Sequence, residues 1–310
     1  AVAYPQKYYF YPSFSNPCVP MALANTESCL IRHGDLVWNL YQHTLIPAVP
    51  PHLPAGLTPG EAKELLRKYR PFFIRWTSGW DLPEDTGFWY VIKDSPEDPA
   101  GYSPKIRSTI RKGMAHFEAR IIDAGFLKDR GYPVYLSAFS RYRSHPDPMP
   151  EAEFREQIDG LFRFGEWEFW GVFETVTGTL AGYSMNWIYD RCCEYKSIKL
   201  DPRYMQDSSG YLLIYEMNRH YLNGLGFRYV NDGSRSLLHD SGIQDFLEKK
   251  FQFRKAYCRM HIRYRPLVAA AVAVLYPFRR ILFPVGHPLF RKISVLLKHE
   301  EIARASRSIA

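Results

Sequence analysis

Several common chemistries have no foothold in this chain. It contains no Walker loop, no H-E-x-x-H and no paired C-x-x-C, which excludes a P-loop nucleotide site, a zincin-type metal site and a dithiol redox pair. Gly182-Tyr-Ser184-Met-Asn186 comes nearest to a nucleophile elbow but lacks its second glycine. Cysteine is scarce, with five residues in 310. The odd number and the lack of paired spacing fit a reducing compartment rather than a disulfide framework. Cys192 and Cys193 are adjacent, so in a strand they point to opposite faces and do not share a metal. No metal site is expected. Long apolar runs are also missing. The stretch from Leu267 to Phe278 ends at Arg279-Arg280, short of the ~20 residues a membrane span needs. The opening AVAYPQKYYFY has neither the basic start nor the apolar core of a secretory signal. The expected location is therefore cytoplasmic. No internal repeat is visible.

What is present supports a packed α/β protein. Hydrophobic residues make up 46% of the chain and aromatics 16%, enough for a sizeable core. The formal net charge is +8, concentrated towards the end. After Pro266 come Arg279, Arg280, Arg291, Lys292, Lys298, Arg304 and Arg307, against Glu300 and Glu301. Ile293, Leu296, Leu297 and Ile302 are spaced for one helical face. Residues 266–310 thus read as a basic amphipathic tail. Two readings stay open: a peripheral membrane contact through 267–310 at the inner face of a membrane, or a helix docked on the body.

Local signals place the remaining elements. Residues 1–15 are aromatic and read as a strand. Residues 47–59 are proline-rich and extended. Thr58-Pro-Gly-Glu61 is a capping box that opens a helix to about Tyr69. Strands are predicted at Phe72–Ser78 and Gly87–Lys93. Ser103-Pro104 opens a helix with an apolar stripe at Ile106 and Ile110, a C-cap at Gly113, and Lys105, Arg107, Arg111 and Lys112 on its exposed side. That basic face suits phosphate contact, or is simply a solvated helix surface. A strand at Phe117–Asp123 and helices near 133–143 and 150–163 follow. Phe169–Glu174, Leu180–Tyr189 and Cys193–Leu200 read as a strand meander, then a helix over 210–223 ends at Asn223-Gly224.

Residues 226–265 carry the most information. Phe227 to Asn231 is predicted as a strand, Asp232-Gly-Ser-Arg235 as a polar turn, and Ser241 with Gln244 as a second capping box. Ile243, Phe246 and Leu247 form an apolar helix face, and Phe253–Tyr264 is the closing strand. Ligands of open α/β sheets bind where strands end, which singles out Asn231, Asp232, Ser234 and Arg235.

This segment resembles the last third of the GNAT acyltransferase fold, most closely the branch holding the FemABX peptidyltransferases and BioF2-like acetyltransferases. The matching residues are Phe246-Leu-Glu-Lys-Lys-Phe251-Gln-Phe253, against a family pattern F-K-x-x-F-G-F. Leu247 and Gln252 depart from it, and Lys249 or Lys250 are the displaced lysine. Arg107-Ser-Thr-Ile-Arg-Lys-Gly113 fits a basic helix of the same families. The resemblance covers roughly residues 70–265. It implies an α/β fold with a GNAT-like mixed sheet flanked by helices. Residues 1–150 would be an N-terminal region or a reduced GNAT-like copy, and 151–265 the acyltransferase core.

The implied activity is transfer of an acyl or aminoacyl group to an amine on a small molecule, an amino acid or a cell-wall precursor. No cofactor is held tightly. The donor is acyl-CoA or another acyl thioester, or aminoacyl-tRNA, in which case tRNA is a partner. Gln206-Asp-Ser-Ser209-Gly210 stands where acyl-CoA enzymes carry a glycine-rich phosphate loop, with Ser209 and Gly210 opening a helix N-terminus. Asp232 or His239 would orient or deprotonate the amine, and Arg235 would hold an acidic group. In the plainer reading Asp232 is a turn residue and Asp240 starts a helix. Lys250 or Lys249 would polarise the carbonyl, and Tyr215 would protonate the leaving group or belong to the core. Strand alternation puts Tyr195 and Lys199 on one face, beside the acceptor, and Lys196 on the other. The alternative from a different class is a non-catalytic GNAT-like binding module.

Overall fold

In the computed structural model, residues 19–22, 27–34, 36–41, 43–140, 147–162, 165–237, 242–282 and 288–308 are described. The strand expected within residues 1–15 lies outside them. A meander comes first: β1 (Val19–Ala22), β2 (Glu27–His33), β3 (Leu36–Tyr41) and β4 (Thr44–Pro47). Then follow α1 (Pro59–Tyr69), β5 (Phe73–Leu82), β6 (Trp89–Lys93), α2 (Pro104–His116) and β7 (Phe117–Ile122). Next come α3 (Ala124–Phe139), α4 (Glu151–Leu161), β8 (Glu166–Glu174), β9 (Leu180–Tyr189) and β10 (Cys192–Leu200). The chain continues through α5 (Ser209–Asn218), β11 (Tyr229–Ser234), α6 (Gly242–Phe251) and β12 (Arg254–Tyr264). It ends with α7 (Pro266–Leu275), α8 (Arg279–Leu282) and α9 (Pro288–Ser308).

The described strands form one mixed sheet in the order β1-β2-β3-β4-β5-β12-β6-β11-β10-β9-β8-β7. Most neighbours are antiparallel. The pairs β4–β5 and β10–β11 are parallel. β12 lies between β5 and β6, and β6 lies between β12 and β11, so early and late strands interleave at the centre. Residue 150 falls between α3 and α4. Both helices pack on β9 around Leu127, Val134, Phe154, Ile158 and Tyr183, and the sheet does not break there.

One face of the central sheet is covered by α2, α5 and α6. Ile110, Leu212, Leu213, Met217, Leu247 and Phe251 fill that core with Val91, Cys193 and Val230. Leu247, where the resembling families carry lysine, is fully buried there. Cys193 belongs to this core and Cys192 to the opposite face, as alternation requires. The opposite face is covered by α3 and α4 at one end and by α9 over β12.

Several elements differ from the sequence reading for local reasons. α2 continues through Gly113 to His116. The glycine is there for helix packing: a Cβ on Gly113 would lie 3.0 Å from the Ser208 carbonyl oxygen and 3.1 Å from Leu212 Cβ. α3 begins at Ala124, nine residues before the expected start near Pro133, because Asp123 caps it by accepting from the Phe126 amide at 2.8 Å. The Thr58 capping box forms as read, with Thr58 N donating to Glu61 Oε2 and Glu61 N donating to Thr58 Oγ1. In the tail, Ile302 and Ala303 of α9 pack against Cys258 and Met260 of β12, and Leu297 is buried, so this helix docks on the body. α7 stays exposed. No described helix is long and apolar enough to cross a membrane.

A candidate active site at a strand fork

β10 and β11 run parallel for only three residue pairs, Cys192–Tyr229, Cys193–Val230 and Glu194–Asn231. Beyond Glu194 they part. Two bulges open this fork. In β10 the pairing with β9 steps from Tyr195–Asn186 to Ser197–Met185, leaving Lys196 extra. In β11 the pairing with β6 steps from Asn231–Ile92 to Ser234–Tyr90, so Asp232 and Gly233 share one opposing position. Gly233 has φ +79°, which explains a glycine there. The residues expected to form a polar turn are therefore a bulged strand end.

Asn231 holds the base of the fork. Its Nδ2 donates to the Cys193 carbonyl at 3.1 Å and the Tyr189 hydroxyl at 2.8 Å, and its Oδ1 accepts from the Gly233 amide at 2.9 Å. The side chain is 0% exposed and its amide is fully engaged. It pins the strands and offers nothing to a substrate.

The fork gathers charge. Asp232 is partly buried, and its carboxyl is pushed up to about 7 by burial and by the neighbouring Glu194 carboxylate, against a smaller lowering from Gln244. Glu194 lies close: a Cβ on Gly233 would be 3.4 Å from its Oε1. Lys196 Nζ bonds Glu194 at 2.7 Å and lies over the Trp187 ring. Gln244 of α6 donates to the carbonyls of Asp232 and Ser234, tying helix to strand end. Beside the fork is a cavity of about 190 Å³ whose lining includes Glu194, Lys196, Ser234, Tyr90, Trp187 and Arg75.

The other expected site residues separate into groups. The helix carrying Lys105, Arg107, Arg111 and Lys112 packs its last turns against the start of α5. Lys112 donates to the Gln206 carbonyl at 2.9 Å and pairs with Asp207 at 3.0 Å. Arg107 turns back to the Tyr102 carbonyl at 2.7 Å, while Lys105 and Arg111 remain exposed. Ser209 is fully buried, and Gly210 sits under Leu200. Arg235 donates to the Gly87 carbonyl and lies 4.1 Å from the Trp89 ring centroid, so it staples β11 to β6. Tyr215 is a core residue, 7% exposed. Lys249 is exposed and pairs with Asp245 at 2.6 Å; Lys250 is partly exposed on the same helix. His239, with Asp240 and the Ser241 cap, lies outside the described residues.

Tyr195 and Lys199 do not share a face. The Lys196 bulge reverses the alternation, so Tyr195 pairs with Asn186 on the α5 side and Lys199 with Tyr183 on the α3–α4 side. Tyr195 donates to Asn218 Oδ1 at 2.8 Å, and Asn218 donates to Glu97 Oε2 at 2.9 Å. Glu97 faces Lys93 at 3.9 Å, with both side chains 0% exposed. This buried chain ties the β6–α2 connection to α5. Glu194 was the residue sequence reasoning missed. Its place opposite Asn231 depends on strand register, and the only sequence signal was a carboxylate in an otherwise apolar and basic strand.

Solved structures share this overall fold at low sequence identity. FemX aligns with a TM-score of 0.52 at 11% identity, over 74% of this chain and 82% of FemX. The C-terminal domain of a protein assigned as a lysylphosphatidylglycerol synthetase, from Agrobacterium fabrum, aligns with a TM-score of 0.51 at 9% identity, over 80% of this chain and 88% of that domain. A tandem GNAT protein from the clavulanic acid biosynthesis pathway aligns at 0.45 with 15% identity, over 79% and 84% of the two chains. No known family's sequence profile matches the chain, and no curated protein matches it in sequence. The fold is GNAT-like, of the kind seen in FemX.

Proposed function

We propose that this chain transfers an activated acyl or aminoacyl group to an amine at the β10–β11 fork, with Asp232 as the base. The observation that carries this reading is a partly buried carboxyl, lifted to about 7, at the opening between two parallel strands. A base near neutrality takes a proton from an ammonium or from the amine as it attacks. The amine nitrogen bonds to the acyl carbon. The bond from that carbon to the donor's sulfur or oxygen breaks, the leaving atom keeps the electron pair, and it takes up a proton. Asp232 accepts the amine proton. Holding donor and acceptor together at the fork supplies much of the rate.

The donor enters from the end where β10 leads into α5. There the α5 N-terminus and the cations Arg111 and Lys112 of the later turns of α2 favour an anionic carrier such as a CoA pyrophosphate or a tRNA backbone. The synthetase neighbour is named for a lysyl group on a phospholipid, which favours the aminoacyl donor. α7 extends the reading to a membrane surface. Leu267, Val274 and Phe278 are 80%, 67% and 55% exposed, with Arg280 beside them, a suitable face for an anionic bilayer. The acceptor would then be met at or near that surface. Calorimetric titration with acyl-CoAs, alongside charged tRNA at two salt concentrations, separates the donors. Binding of either class, weakened in Arg111→Ala/Lys112→Ala, supports the reading. Binding of neither overturns it in favour of a non-catalytic module.

A further inference from the structure

The cavity beside the fork has a charge imbalance that the transfer chemistry does not use. Among its described lining residues the charged groups are Arg75, Lys196 and Glu194. Lys196 and Glu194 neutralise each other at 2.7 Å. Arg75 is left over. No carboxylate among the described residues lies within ion-pair distance of it. Its neighbours are the His299 ring, with Nη1 3.1 Å from Nε2, the Phe88 ring 5.3 Å away, and Tyr90. Burial and the Arg75 charge push His299 down to about 3, and burial lifts Tyr90 to about 12, so both are neutral. An enclosed guanidinium without an anion is costly, and its planar fork suits a carboxylate.

Two further observations point to an occupant. The Trp167 indole N–H, in the same lining, is buried with no acceptor among the described residues. The roof is also built in advance. Most residues of the proline-rich stretch 47–55 line the cavity, and His52 anchors the stretch. His52 Nδ1 is 2.6 Å from the Tyr229 hydroxyl and Nε2 is 3.0 Å from Asp190, beside Arg228. Val49 and Leu53 of this strap line the cavity together with Trp76, Trp167 and Trp187.

We infer that the cavity binds an amine-bearing monocarboxylate of amino-acid size, its carboxylate on Arg75, its apolar side chain among the indoles, and its amine towards Glu194 and the fork. The assignment rests on the transfer reading for the direction of the amine, and it names the acceptor class. A cavity of about 190 Å³ is small against the several hundred Å³ of drug-sized ligand sites, which favours a free amino acid over a large precursor.

The test measures binding with no donor present, so it stands apart from any failure of transfer. Three probes are titrated into the full chain by calorimetry: L-phenylalanine, 3-phenylpropionate, which lacks the amine, and phenethylamine, which lacks the carboxylate. Phenylalanine and phenylpropionate are expected to bind and phenethylamine not to. Arg75→Gln should weaken the two carboxylates about tenfold or more, the loss of a charge-assisted hydrogen bond. Val49→Trp, on the strap, fills the cavity and should abolish binding of both while leaving Arg75 in place. Should Arg75→Gln not fold, Val49→Trp decides alone. Phenethylamine binding as well as phenylalanine, no probe binding at millimolar concentration, or carboxylate binding unchanged by Val49→Trp would each overturn the assignment.

Discussion

Asp232 carries the account at the scale of a single residue. Its folded-state pKa of about 7 exceeds the ordinary 3.8 because a charge there is poorly solvated and lies near Glu194. The folded state therefore holds a proton that the unfolded chain releases. Its contribution to stability is complete below the unfolded carboxylate range, declines as pH rises through the interval up to about 7, and is gone above it. Asp232→Asn removes this dependence. Urea unfolding at pH 5 and pH 8 should show the variant gaining on the wild type at pH 8, and parallel curves would show that Asp232 titrates normally. Asp232 and Ser234 were legible because small polar residues after an apolar strand mark a strand end. Asn231 was named for the same reason, but its role is structural: a buried amide that meets all its hydrogen bonds looks in sequence like one that waits for a ligand. Glu194 was not legible, since only register sets it beside Asp232.

Among elements, the two bulges and the α2–α5 contact position the fork. Gly113 allows the basic helix to approach the start of α5, and its sequence reading as a C-cap missed that a mid-helix glycine also marks close packing. Gly113→Val would press a branched side chain into Ser208 and Leu212 and should cost ~1–3 kcal/mol, read as a lower urea midpoint. An unchanged midpoint would mean the helices separate freely. The tail was legible as two open readings, and α9 follows the docked one. α9 docks because Ile302 and Ala303 reach β12, whereas α7 leaves Leu267 and Val274 in solvent. Leu267→Glu/Val274→Glu should abolish co-sedimentation with vesicles containing anionic lipid and leave the melting temperature unchanged. Equal sedimentation of variant and wild type would remove the membrane contact.

For the molecule as a whole, β8 through β12 were legible because alternating strands, glycine and proline breaks and a capped helix follow one another in order. β1 to β4 were not. They are short, β1 at the sheet edge contains Pro20 and β4 ends at Pro47, and their pattern is broken by turns every few residues. The interleaving of β5, β12 and β6 was beyond sequence reasoning, because strand order is set by tertiary packing rather than by any local signal. That interleaving brings Arg75 and Tyr90, from the early strands, to the cavity lined also by Glu194 and Ser234, from the late ones. The molecule thus builds one site from residues more than a hundred positions apart.

The most direct test is a transfer assay read by mass spectrometry. The full chain is incubated with acyl-CoA or aminoacyl-tRNA donors and a mixture of amino acids, across pH 5 to 9, as wild type and Asp232→Asn. The expected product is an N-acylated or N-aminoacylated amine whose rate of formation rises through about pH 7 and levels off, with the variant slowed ~10²–10⁴-fold, the usual contribution of a general base, and that rise gone. No product from any donor, or product formed by Asp232→Asn at the wild-type rate with the same pH profile, would contradict it.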